Sequence, residues 1–386
     1  MTHLADRLQD IQPFHVMDIL ARATKLEAEG HAVIHMEIGE PDFPTPQKIV
    51  QAGIKALESG STGYTPALGL PALREAISQQ YSPDCRPESN RVMVTPGASG
   101  ALQLAFCALI NPGDEVLLAD PGYPCNRHFV RMFEGRAVSI AVGPKQGFQL
   151  SADLIRQYWT EKTVAVLVAS PSNPTGTVVP DSEMEAITRV VEELGGVLIV
   201  DEIYHGLTYD SQDDGPGSAL RYSPGTIIVN SLSKYYGMTG WRVGWMVVPI
   251  DMLDAIERLA QNIFIATSTP AQYAALVAFD DDVIDELDRR RDIFCQRRDY
   301  LLPALRSLGF DIPLVPQGAF YLYADCSRFS TDSYQFALEV LESTRVAITP
   351  GLDFGHHQPE RYVRFSYAND IENLKIAVER MRTMLA

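Results

Sequence analysis

The chain has 386 residues, 46% hydrophobic and 21% charged, which is ordinary globular composition with enough apolar material for two domains and excludes a fibrous or disordered protein. With 32 Lys and Arg against 49 Asp and Glu the net charge is −17, so phosphate backbones and anionic lipid surfaces are repelled; neither nucleic acid nor membrane is an expected partner. Any anionic ligand must therefore be held by a local cluster of donors.

The first ten residues are charged and lack a signal-type apolar core, and no apolar run reaches membrane-spanning length. Short β-branched runs then recur at 91–95, 115–119, 137–142, 164–169, 196–200, 226–230 and 242–248, several continuously apolar, as strands covered on both faces are. Helices are predicted between them at 98–110, 181–194 and 251–261, the second with Asp181 as N-cap after Pro180. This alternation predicts an α/β fold, a three-layer large domain around a mainly parallel seven-stranded sheet. From about Asp281 the pattern changes to a long charged helix to Leu308, a strand at 318–323, a helix at 334–344, a strand at 362–367 and a final amphipathic helix. That is a smaller α+β domain. We assign 47–280 to the large domain, and 1–46 with 281–386 to the small one, although the N-terminal segment could pack on either. Cys85, Cys107, Cys125, Cys295 and Cys326 are odd in number and contain no Cys-x-x-Cys, so reduced thiols in the cytoplasm are the simple reading.

One segment carries the chemistry. Lys234 lies in Ser231-Leu-Ser-Lys-Tyr-Tyr-Gly-Met-Thr-Gly-Trp-Arg242, directly after the apolar run 226–230. A lone amine at the end of a buried strand loses its proton readily and can attack an aldehyde carbon. The hydroxyls of Ser231 and Ser233, the turn glycines Gly237 and Gly240, and Arg242 could hold a phosphate within its reach. An amine beside a phosphate cradle points to a Schiff-base cofactor, and pyridoxal 5'-phosphate supplies both groups. Elsewhere, Asp201 projects from the carboxyl end of the apolar run 197–200, where a carboxylate is costly unless paired, and a pyridinium nitrogen is a suitable partner. Arg364, on an apolar strand, has a planar fork suited to a carboxylate, with a buried salt bridge to Asp or Glu as the plain alternative. Histidines lack His-Glu-x-x-His spacing and no Gly-x-Ser-x-Gly elbow occurs, so metal or serine-hydrolase chemistry is not expected.

In order, Gly97-Ala-Ser-Gly-Ala-Leu102, Asp120-Pro-Gly-Tyr-Pro124, Ser170-Pro-Ser-Asn-Pro-Thr-Gly176, Asp201-Glu-Ile-Tyr204, Ser231-Leu-Ser-Lys234, Arg242 and Arg364-Phe-Ser-Tyr367 resemble, segment by segment, the class I and II aminotransferases that use pyridoxal phosphate. The resemblance implies phosphate contacts from Ala98, Ser99, Ser231 and Arg242, with Ser233 assisting. It implies that Asp201 holds the ring nitrogen, Tyr204 and Asn173 the 3'-oxygen, and that Ile203 and Tyr123 pack on the two ring faces. Arg364, Asn173 and the Gly39 backbone would take the substrate's α-carboxylate, with Ile38 at the entrance. Tyr64 would reach the phosphate of a neighbouring subunit, which implies a homodimer. Where the family often has Gly-Gly-Thr, this chain has Gly97-Ala98-Ser99, and no match is found for the partner-donated arginine of the aspartate-specific lineage.

The implied activity moves an amino group from an L-amino acid to a 2-oxo acid by a ping-pong route through a Lys234 Schiff base, with Lys234, Asp201 and Tyr204 as the catalytic set. A carbon–sulfur β-lyase on the same scaffold is the alternative. A non-catalytic cofactor-sensing regulator is a remote one, since catalytic-type sequence begins by about residue 37 and the charge disfavours DNA.

Overall fold

The computed structural model describes residues 3–209 and 217–386. Its strands are β1 (Ile34–His35), β2 (Val92–Thr95), β3 (Glu115–Asp120), β4 (Arg136–Ala141), β5 (Thr163–Ala169), β6 (Val197–Asp201), β7 (Ile227–Ser231), β8 (Gly244–Val247), β9 (Tyr321–Asp325), β10 (Val346–Ala347), β11 (Thr349–Pro350) and β12 (Tyr362–Ser366). Seven of them form one sheet in the order β2-β8-β7-β6-β5-β3-β4, parallel throughout except for β8, which runs antiparallel to β2 and β7.

Successive residues of the sheet feed opposite cores, as strand geometry requires. Val92 and Val94 of β2, Leu198 and Val200 of β6, and Ile228 of β7 pack on one side; Met93, Ile199, Ile227 and Val229 pack on the other. Helices Pro71–Gln79 and Asp181–Glu193 cover the first face, and Gly97–Leu109 and Leu253–Ile263 the second. The sheet is thereby the middle of three layers.

A separate core joins the two ends of the chain. Ile19, Ala23 and Leu26 of helix His15–Ala28 pack with β9, β12, and helices Ser333–Thr344 and Ile371–Leu385. β1 pairs in parallel with β10, with Ile34 opposite Val346, so the N-terminal segment packs with the C-terminal part. Helix Asp281–Leu308 bridges both regions: Val283 and Leu287 lie in the sheet core, Phe294 and Leu301 in the other.

Several local expectations shift. Asp181 is the first helical residue rather than the cap, and Pro180 precedes it without a side-chain bond. Arg242 stands outside β8 because its backbone is left-handed, at φ 55°. The strand expected from Gly318 begins at Tyr321, after Ala319 at φ 58°. The helix expected from 251 begins at Leu253 after a short 3-10 turn. Helices His15–Ala28, Gln47–Glu58 and Thr269–Leu276 were not anticipated. Among the described residues no helix is long and apolar enough to cross a membrane.

Candidate active site

The parallel strands β5, β6 and β7 end on one edge of the sheet, where α/β proteins place ligands. β8 begins at this edge because it runs antiparallel, which brings Arg242 there too. A cavity of about 510 Å³ opens over that edge and is closed from above by β12, the loop after β11 and helix His15–Ala28. Ile38, Gly39, Ala98, Ser99, Tyr123, Asn173, Asp201, Ile203, Tyr204, Ser231, Ser233, Lys234, Arg242 and Arg364 all line it. Tyr64 does not: within this chain it is 85% exposed and outside the cavity.

One end of the cavity is built for an anion. Helix Gly97–Leu109 points its N-terminus there, exposing unpaired amides and the positive end of its dipole. Gly97, at φ 69°, packs against the Arg242 guanidinium so tightly that a β-carbon would overlap it; one on Gly244 would meet the Ala98 nitrogen at 2.7 Å. Arg242 Nη1 donates to Thr239 O at 3.0 Å and sits 3.5 Å from Ser233 Oγ, with no carboxylate partner among the described residues. Ser231 Oγ, almost fully buried, donates to Ser233 Oγ or Val243 O and accepts from Ser233 N–H. The Ser99 hydroxyl has no protein partner among the described residues. The donor set and the glycine-lined recess fit a phosphate.

Lys234 Nζ lies beside this recess, donating to Gly39 O at 2.5 Å and facing the Tyr204 ring at 6.0 Å. It forms no ion pair among the described residues. Burial pulls its pKa down to about 8, reinforced by the Arg364 and Arg242 charges and opposed by Glu40 and Asp201. Asp201 accepts from Ile203 N–H at 3.1 Å and has no other side-chain partner among the described residues, and burial pushes its pKa up to about 6. A cationic ring nitrogen would relieve that cost. Burial also holds the Tyr204 hydroxyl well above its ordinary value, and it bonds the Tyr321 hydroxyl at 2.9 Å.

At the other end Arg364 is 5% exposed and has no carboxylate partner among the described residues, so the salt-bridge alternative fails. Its Nη1 donates to Asn173 Oδ1 at 2.9 Å and its Nη2 to Glu37 O at 2.6 Å, while Nε is buried with no acceptor among the described residues. The guanidinium lies over the Tyr321 ring at 4.3 Å and the Phe354 ring at 5.0 Å. A buried cation with an unsatisfied donor, facing a cavity, is suited to an anionic ligand group.

Sequence reasoning missed Tyr321, which touches Tyr204, underlies Arg364 and approaches Gly39 so closely that a β-carbon there would sit 2.5 Å from its hydroxyl. It also missed Phe14, Val16, Met17 and Leu20, which supply an apolar wall. Their signal was present: Ile19, Ala23 and Leu26 recur at helical spacing and are buried.

Residues 31–381 match the profile of a family described as aminotransferase class I and II. The chain is 38% identical to the (5-formylfuran-3-yl)methyl phosphate transaminase of Methanocaldococcus jannaschii, over 99% of each chain. It is 37% identical to the valine–pyruvate aminotransferase of Mycobacterium tuberculosis, over 97% of each. A crystal structure of an aminotransferase from Mycobacterium tuberculosis superposes with a TM-score of 0.96 at 36% identity, covering 100% of this chain and 99% of the other. A lysine, an aspartate and two arginines converging on one cavity, within a match that runs almost end to end, mean that this chain belongs to the class I and II aminotransferases.

Proposed function

We propose that this aminotransferase carries its amino group on pyridoxal 5'-phosphate, between an L-amino acid and a 2-oxo acid, with Lys234 as the residue that bonds the cofactor. The observation that carries the reading is the Lys234 amine, enclosed beside an anion recess, without a carboxylate partner among the described residues and with its pKa near 8. When bound, the cofactor supplies an aldehyde for amine exchange and a ring that takes up the electron pair left when a Cα–H is removed.

The chain's own residues do the rest. Ser99, Ser231, Ser233, Arg242 and the Ala98 amide would hold the phosphate, and Tyr123 and Ile203 would pack against the two faces of the ring. Asp201 keeps a proton on the ring nitrogen, because a carboxylate already costly to bury is stabilised by a cation beside it. Tyr204 and Asn173 would hydrogen-bond the ring oxygen. Arg364 grips the donor's α-carboxylate, aided by Asn173 and the backbone at Gly39, which sets the Cα–H toward Lys234 Nζ; Ile38 lines the entrance. Near its pKa of about 8 that amine can take a proton from the substrate carbon and give it back.

We further propose that two chains complete the site. Ile54, Leu57, Ile265 and Tyr273 are exposed on or beside the packed helices Gln47–Glu58 and Thr269–Leu276, next to the exposed Tyr64, which a partner's phosphate would engage. Cys85, Cys107, Cys125 and Cys326 are free thiols, in keeping with a cytoplasmic location. Two separate cores are in keeping with two domains, for which 47–280 and 1–46 with 281–386 stand as the proposed bounds, with helix Asp281–Leu308 packing into both cores.

A panel of amino donors with 2-oxoglutarate or pyruvate as acceptor tests the reading. Aminated acceptor and parallel reciprocal plots are expected. Release of pyruvate and ammonia from a donor with a β leaving group, without aminated acceptor, would contradict it.

A further inference from the structure

Helix His15–Ala28 begins without a cap of its own. Its N-cap residue is Phe14, whose side chain cannot accept a hydrogen bond, so the first amides need acceptors from elsewhere. They find both oxygens of one distant carboxylate: His15 N–H donates to Asp353 Oδ1 at 2.7 Å and Val16 N–H to Asp353 Oδ2 at 2.9 Å. Asp353 is 3% exposed and forms no ion pair among the described residues. Its charge is therefore balanced mainly by these amides and the positive end of the helix.

The loop that carries Asp353 is fixed on its other sides to the site. Arg127 Nη2 donates to Asp353 O at 3.0 Å, Gly122 N–H to Phe354 O at 2.8 Å, and His356 N–H to Asp120 Oδ2 at 2.8 Å. Asp120 and Gly122 belong to the turn that presents Tyr123, and Phe354 lies against Arg364. One carboxylate thus ties the helix to both the ring-stacking turn and the bed of the arginine. The helix in turn sets Val16, Met17 and Leu20, with Phe14 before them, against the cavity.

We propose that Asp353 is a positioning residue for the amino donor: it caps helix His15–Ala28 in trans and so fixes the apolar wall against which the donor's side chain packs. The donor role rests on the amino-acid reading of the cavity given above. The wall meets the side chain and not the reacting atoms, so its displacement acts on KM and grows with side-chain size.

The test compares Asp353→Ala and Asp353→Asn in the pyridoxal-phosphate-loaded enzyme, with one alanine-sized and one phenylalanine-sized donor. Loss of both acceptors raises KM for the large donor about tenfold with kcat within about threefold, and leaves the small donor nearly unchanged. Asp353→Asn keeps one acceptor and falls between. Met17→Ala, which trims the wall and spares the cap, reproduces the dependence on donor size. Hydrogen exchange reads the cap without turnover: the His15 and Val16 amides exchange about tenfold faster in Asp353→Ala, while β6 amides are unchanged. Equal losses for both donors, a loss confined to kcat, or unaltered exchange at these amides overturns the proposal. A wild-type enzyme that transfers no amino group, yet shows Asp353-dependent protection, contradicts the functional reading while supporting the cap.

Discussion

The wall of the cavity assigned to the cofactor is made of short turns fused to neighbouring strand ends: 97–99 after β2, Asp201 to Tyr204 at the end of β6, Ser231 to Lys234 at the end of β7. The wall assigned to the donor joins residues 338 and 327 positions apart, His15 with Asp353 and Glu37 with Arg364. The first is anchored on a sheet buried on both faces. The second rests on a separate apolar core between the chain ends and is oriented by single polar contacts across it. The difference implies that cofactor binding and chemistry are set by rigid local geometry, while donor choice is set by long-range packing that single substitutions can loosen.

Substitutions on the two walls should therefore fail in different ways. Lys234→Ala removes the amine that bonds the cofactor and moves the proton, so kcat/KM falls by at least about 10³-fold. Equilibrium dialysis should still find pyridoxal phosphate bound, because its phosphate contacts persist. Asp201→Asn keeps the shape and loses the charge, and single-turnover rates should drop by about 10²–10³-fold with little change in donor KM. Arg364→Ala, on the opposite wall, should raise KM and lower kcat/KM about 10²-fold for every donor, since all share the group it grips. A loss confined to one donor would move Arg364 from the carboxylate to a side chain. Tyr64→Phe should weaken cofactor retention only about fivefold, measured by dialysis, by deleting one hydrogen bond from the partner subunit.

A separate effect is on stability without cofactor. Lys234 titrates near 8 in the folded chain and near 10.5 unfolded, so below pH 8 folding buries a charge that the unfolded chain keeps in water. Lys234→Met removes that cost. The variant's melting temperature should exceed the wild type's below pH 8, the gain should fade between 8 and 10.5, and the curves should meet above that. A gap that widens with pH would reverse the sign.

Legibility in the sequence follows the same divide. Six strands of the large sheet were readable because apolar runs covered on both faces need no partner to be recognised, and the exposed edge strand β4 was readable from its β-branched and apolar run. Lys234, Asp201 and Arg242 were readable because each sits within a few residues of a strand end. Tyr321 looked like one more strand aromatic, and its place under Arg364 depends on the antiparallel pairing of β9 with β12. Asp353, three residues after a two-residue strand, carried no local signal, since its partner amides lie at the far end of the chain. Tyr64 is a surface residue of the single chain, and the role proposed for it needs a second one.

The central claim is that the Lys234 nitrogen bonds the cofactor. Borohydride reduction of the protein loaded with pyridoxal phosphate, followed by proteolysis and mass spectrometry, tests it directly. The account predicts a stoichiometric phosphopyridoxyl mass on the peptide containing Lys234 and its absence in Lys234→Ala. Stoichiometric label on another lysine, or an unmodified Lys234 peptide from fully loaded protein, would contradict it.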